Sequence, residues 1–294
     1  MERRSVRKPF LILLTVALLL LGLVFGASWM FGDAALLGGP RVALVVVDGV
    51  ISDPREIVDQ LERAQHNPAI RAVVLRVNSP GGGVAASQEI HAELTRLRTV
   101  HGKPVVSSMA SVAASGGYYI ASASDRIVAN PGSITGSIGV LMQIPNVSGL
   151  LQKLGLRSVV IKSGEHKDLA SPTRELTEEE RRLLQQVLDD IHDQFIEAVA
   201  TGRKLARDKV VALADGRIFS GRQAMALGLV DELGDLQDAI QRAGQLAGIP
   251  GRPRVVQEPR RRFRLLDLLT GLAPSIFPGG SFVPPTISVE YIMR

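Results

Sequence analysis

Short runs of apolar, largely β-branched residues alternate along this chain with stretches in which apolar positions recur every three or four residues. The runs are Val42–Val47, Ala72–Val77, Pro104–Met109, Arg126–Val128 and Ser158–Ile161, closed by turn residues such as Asp48-Gly49, Asn78-Ser79-Pro80 and Asn130-Pro131-Gly132. Nearly continuous apolarity, rather than strict alternation, predicts strands buried on both faces. Between them, Ile57, Leu61 and Ala64 share one helical face, and Ala86, Ile90, Leu94 and Leu97 share another. The longest helix opens on Thr177-Glu178-Glu179-Glu180, a capping box, and continues through Leu184, Val187, Leu188, Ile191, Phe195 and Val199. Further helical units start near Ser220 and cover 236–247. Strands alternating with helices predict an α/β fold with a mostly parallel sheet over residues 41–250.

Ahead of that body, Phe10 to Phe31 runs without a charge, and about 20 apolar residues span a bilayer core. Arg3, Arg4, Arg7 and Lys8 precede it and Asp33 follows, which places residues 1–9 in the cytoplasm and the rest outside. The expectation is a signal anchor over 10–31, a linker over 32–40, and a catalytic body on the outer, periplasmic side of a bacterial inner membrane. A cleaved signal peptide, with Phe25-Gly26-Ala27 as its small-residue site, is the alternative, and both export the chain. After Pro250 the composition turns Arg-rich and then Pro/Gly-rich, so 251–294 reads as a tail outside the core. Its Arg260–Leu272 stretch is a candidate for contact with anionic lipid, against a plain flexible terminus.

Charge sharpens this division. The chain carries +5 overall, but residues 1–9 hold +3 and residues 250–294 hold +4, so the body between them is at −2. A slightly acidic body lacks the basic face that nucleic-acid binding requires, and no such partner is expected. The absence of cysteine excludes disulfide scaffolds, thiolate metal sites and a cysteine nucleophile. Neither a cofactor nor a metal is implied by any motif.

The candidate chemistry lies at strand ends. Ser115 follows the 104–109 run within Ala113-Ala114-Ser115-Gly116-Gly117-Tyr118-Tyr119. Small residues on both sides permit a tight turn that presents the hydroxyl, a variant of the G-x-S-x-G elbow with Ala113 at its first position; close helix–strand packing is the competing reading. Asn78-Ser79-Pro80-Gly81-Gly82-Gly83 joins an apolar run to a helix. Its glycines can expose N–H groups to an oxyanion, or can simply serve a turn. None of His66, His91, His101, His166 and His192 lies beside a convincing nucleophile. The remaining base is a lysine, Lys167, in a polar turn; desolvation is what makes a lysine basic at neutral pH, and in isolation the same residue reads as solvated surface.

Together, Asn78–Gly83, Ala113–Tyr119 and Ser163–Asp168, with the later block Asp215–Gly221 and Ala226–Asp231, resemble the signal peptide peptidase (SppA) family of serine proteases over about residues 41–245. The resemblance implies a ClpP/crotonase-like fold with repeated β-β-α units. It implies a Ser/Lys dyad in which Ser115 is the nucleophile and Lys167 the general base, with Gly81, Gly82, Gly83 and Gly116 as oxyanion donors. It further implies hydrophobic peptide substrates such as remnant signal peptides, and a homo-oligomeric ring or dome. Two other functions fit the fold: a catalytically idle membrane scaffold, disfavoured because Ser115 and Lys167 are both present, and a crotonase-type acyl-CoA enzyme, disfavoured by export.

Overall fold

The computed structural model describes residues 14–23, 39–257 and 288–293. Residues 14–23 are helical, and among the described residues no helix is long and apolar enough to cross a membrane. The remainder of the expected anchor, most of the linker and residues 258–287, including Arg260–Leu272, lie outside the described residues.

The body is mixed α/β, as its alternating pattern predicts, and fits a ClpP-like fold. Six strands form the main path: β1 (Arg41–Asp48), β2 (Ile70–Ser79), β4 (Val105–Ala114), β5 (Arg126–Ala129), β9 (Glu232–Leu233) and β10 (Arg254–Gln257). Their order is β10-β1-β2-β4-β5-β9, all parallel. β6 (Ile134–Gly136) pairs with the far half of β4 and carries the antiparallel β8 (Ile218–Ser220). A second, three-stranded sheet contains β3 (Gly81–Gly83), β7 (Leu141–Gln143) and β11 (Ser288–Ile292).

Helices cover both faces, which explains why the strands are apolar at successive positions. On one face, Val73, Leu75 and Val77 pack against α1 (Arg55–His66), α2 (Val84–Thr99), α3 (Gly116–Ser122) and α5 (Glu178–Arg203) through Leu61, Ile90, Leu94, Ile120 and Phe195. On the other, Val42, Ala72, Val74, Val106 and Val128 meet Ala239, Ile240 and Ala243 of α8 (Leu236–Leu246). The smaller helices are α4 (Ser148–Lys153), α6 (Arg207–Val211) and α7 (Gly221–Leu227). The capping box of α5 forms, with Thr177 accepting from the Glu180 amide and Glu180 from the Thr177 amide. Ser220 and Gln223 do the same for α7.

Two expectations change. Ser158–Ile161 is not a strand: no strand runs beside it among the described residues, and Val159 and Ile161 are 83% and 97% exposed. A β-branched run without a neighbouring ladder has nothing to hold it extended in a sheet. The region after Pro250 is not wholly outside the core either. β10 adds a parallel edge to β1, and Tyr291 in β11 is fully buried.

Leu94, fully buried on α2, tests the larger core. Leu94→Ala is expected to cost about 2–5 kcal/mol, seen as a lower urea midpoint with unchanged slope.

Candidate active site

β2 and β4 are neighbours, so their carboxyl ends bring the glycine loop and Ser115 together. Open parallel sheets place their ligand sites at such ends. Ser115 is the single residue between β4 and α3, with φ 53° and ψ −119°. L-residues rarely occupy that region, at a cost of about 1–3 kcal/mol. The conformation is held from both sides: the Ser115 amide donates to the Gly136 carbonyl at 2.8 Å, and the Ser115 carbonyl accepts from the Tyr119 amide at 2.8 Å. The Ser115 hydroxyl is buried, and its oxygen has no hydrogen-bond partner among the described residues.

Gly81 and Gly116 touch. A Cβ on Gly81, whose φ is +107°, would stand 2.7 Å from the Gly116 nitrogen and 1.9 Å from the Tyr291 carbonyl oxygen. Only glycine fits there, on conformational and steric grounds alike. The three loop glycines are not equivalent as donors. The Gly81 amide donates to Ser79 Oγ at 3.1 Å, and the Gly83 amide to the Ile51 carbonyl at 2.7 Å. Gly82 is in register with Tyr291 of β11, and the Met293 amide donating to the Pro80 carbonyl at 2.7 Å sets the phase of the antiparallel ladder that turns the Gly82 N–H toward β11. The structure therefore separates Gly82 and Gly116, which can serve an oxyanion, from Gly81 and Gly83, whose amides are engaged elsewhere.

Lys167 is not brought to Ser115. It lies exposed in the turn over 163–170, and the Ser115 oxygen has no partner. That turn is nevertheless anchored. Asp168 accepts from Lys162 Nζ at 2.5 Å and from Arg174 Nε at 2.9 Å, while Arg174 Nη1 also donates to Glu180 at 2.8 Å. Arg174, followed by Lys162, holds the Asp168 carboxyl well below the usual range. Arg174 and the Thr177 amide lower Glu180 to about 2. Two carboxylates, Asp168 and Glu180, accepting from the one Arg174 guanidinium thus tie the Lys167 segment to the first turn of α5.

No histidine bonds Ser115. His91 is half-buried on α2 with its ring 4.9 Å from that of Tyr119, and desolvation, with Arg98 nearby, lowers it to about 4. His192 Nε2 is buried without a hydrogen-bond partner among the described residues. Among the described residues no cluster could hold a metal ion. Missing from the sequence-based site is an aromatic pocket: Tyr119, Phe195 and Tyr291 have ring centroids 4.7–5.2 Å apart, and the Tyr291 hydroxyl donates to the Ile191 carbonyl at 3.0 Å. The alternation in Ile287-Ser288-Val289-Glu290-Tyr291 is the strand signal that could have revealed it.

A model described as peptidase family S49 matches residues 98–250. A Synechocystis sp. protein bearing a protease name, slr0021, is 46% identical over 210 residues, covering 71% of this chain and 75% of its own. An Enterococcus faecium protein named for signal peptide peptidase SppA is 39% identical over 213 residues, covering 68% and 62%. The chloroplastic serine protease SPPA of Arabidopsis thaliana is 33% identical over 239 residues, covering 78% of this chain but 35% of its own length. This chain belongs to peptidase family S49, the signal peptide peptidase (SppA) family of serine-type peptidases.

Proposed function

We propose that the chain is a membrane-anchored endopeptidase that cleaves hydrophobic peptides, such as remnant signal peptides, through an acyl-enzyme on Ser115. The observation that carries this reading is the Ser115 turn itself: an unpartnered hydroxyl in a strained backbone conformation, beside Gly116 and the Gly82 amide. Ser115 Oγ attacks the peptide carbonyl, and the Gly116 and Gly82 N–H groups stabilise the oxyanion. Lys167 takes the serine proton, passes it to the leaving amine and then activates water for deacylation. The apolar run over 10–31 supports anchoring, with the body on the outer face of the cytoplasmic membrane.

The dyad is completed between neighbouring subunits of a homo-oligomer. Two observations support this. Ser115 Oγ has no hydrogen-bond partner among the described residues, and the Lys167 segment is preceded by Leu154, Leu156, Val159 and Ile161, all more than half exposed. An apolar patch of that kind marks a protein contact. Docked against a second copy, the segment would carry Lys167 out of water, which is the condition for a basic lysine.

Ser115→Ala and Lys167→Ala are each expected to lower hydrolysis of a fluorogenic hydrophobic peptide by about 10³-fold or more. Full activity in Ser115→Ala would overturn the assignment. Co-assembly of the two inactive variants is expected to restore activity, because mixed neighbours rebuild whole sites; no recovery in verified mixed oligomers would place the dyad within one subunit.

Acid should loosen the Lys167 segment. Glu180 has a lowered folded-state value, so its contribution is present above its ordinary 4.5 and is lost as pH falls toward about 2. Hydrogen exchange over 162–175 is expected to rise across that window in the wild type, and to be high already at neutral pH in Arg174→Ala.

A further inference from the structure

The parallel strands of the main sheet all begin at one end, at Arg41, Ile70, Val105, Arg126, Glu232 and Arg254. Ser115 lies at the other end, and the length of β2, from Ile70 to Ser79, separates the two by about 30 Å. Two adjoining recesses open where the strands begin. One, of about 400 Å³, is lined by Arg98, Asp125, Arg126, Arg203, Lys204 and Asp231. The other is bordered by Arg71 and His101, and both are lined by Lys103. Lysines and arginines set against the two carboxylates leave +4 here, although residues 10–249 as a whole stand at −2.

Neither carboxylate has capacity left to neutralise the surplus. Asp125 accepts from Arg98 Nε at 2.9 Å and from the Val105 amide at 2.8 Å. Asp231 takes Arg203 Nη2 at 2.8 Å and the Ile127 amide at 2.7 Å. Some of the cations serve the fold: Lys103 Nζ donates to the Ala64 and Asn67 carbonyls at 2.7 and 2.8 Å, and Arg98 donates to that of Ala123. A helix carboxyl end carries about half a negative charge, so the ends of α1, α2, α3, α5 and α8 offset about 2.5 of the surplus. The face stays positive, with Arg71, Arg126 and Lys204 exposed on it. The Arg203 side chain is only 6% exposed, and its Nε is buried without a hydrogen-bond partner among the described residues. A buried guanidinium donor left unmet is costly, and an oxyanion seated in the recess supplies an acceptor.

The place of this face along the chain identifies its occupant. Residues 32–40 alone separate the apolar run at 10–31 from Arg41, a reach of at most about 30 Å. The basic end is thus the end tethered to the bilayer, and basic residues close to a bilayer are drawn to anionic lipid. We propose that the amino end of the sheet docks on anionic phospholipid headgroups, with a headgroup phosphate in the Arg203 recess. The proposal rests on the 10–31 run being an anchor. Docking in this orientation holds Ser115 about 30 Å off the membrane surface. The peptidase then acts on peptide segments that have already left the bilayer.

The test places the full chain in vesicles of phosphatidylcholine alone or mixed equally with phosphatidylglycerol, and follows hydrogen exchange by mass spectrometry. Exchange over 99–103 and 202–206 is expected to slow on the phosphatidylglycerol vesicles, to recover at high salt, and to stay unchanged over 78–83. Removing three surface charges in Arg71→Gln/Arg126→Gln/Lys204→Gln should weaken docking about 10²-fold and abolish the slowing. That variant should keep its hydrolysis of a soluble peptide in detergent. Equal exchange on both vesicles, in protein that resists carbonate extraction, overturns docking and leaves anchoring standing. Slowing over 78–83 instead, or slowing that survives in the triple variant, also overturns docking at this face. Extraction by alkaline carbonate from both vesicles overturns anchoring, and the tethered orientation with it.

Discussion

Everything distinctive about this molecule depends on one backbone turn. β4 must end and α3 must begin at a single residue, and Ser115 makes that reversal at φ 53°. The strain is held because the flanking elements are fixed independently. β4 is paired with β2 on one side and with β5 and then β6 on the other. α3 is buried along its whole length, with Tyr118 donating to the Leu229 carbonyl. A serine so held cannot relax its hydroxyl into the local backbone bonds that serines ordinarily make. It is left buried and unpartnered, which is costly for stability and useful for a nucleophile.

The glycine loop follows from the same constraint. With Ser115 turned, the Gly116 nitrogen comes so close to Gly81 that a side chain at Gly81 would overlap it. Ser79 and Ile51 then engage two of the loop amides, and this leaves Gly82 oriented toward β11. A tripeptide of identical residues is thus differentiated by its neighbours: two glycines shape the loop and one can bind charge.

Much of this was legible in the sequence. Buried strands read as continuous apolar runs, a capping box marked α5, helical spacing from near Ser220 marked α7, and small residues around Ser115 signalled a tight turn. The elements that escaped were those decided by distant partners. Ser158–Ile161 has strand composition but no ladder beside it, and which of Gly81, Gly82 and Gly83 is available depends on Ser79 and Ile51. β11 is five residues long and separated from β10 by thirty intervening residues, so its alternation carried little weight against a Pro/Gly-rich surrounding. The Ser115–Lys167 pairing came from family resemblance; within the chain the turn bearing Lys167 is tied by Arg174 to α5 and not to Ser115.

The central claim is that Ser115 forms the acyl-enzyme. Its most direct test is to mix the full chain with an activated ester of a hydrophobic peptide, quench in acid and map the adduct by mass spectrometry. The account predicts an acyl group on Ser115. Turnover of the ester with the adduct on any other residue would contradict it.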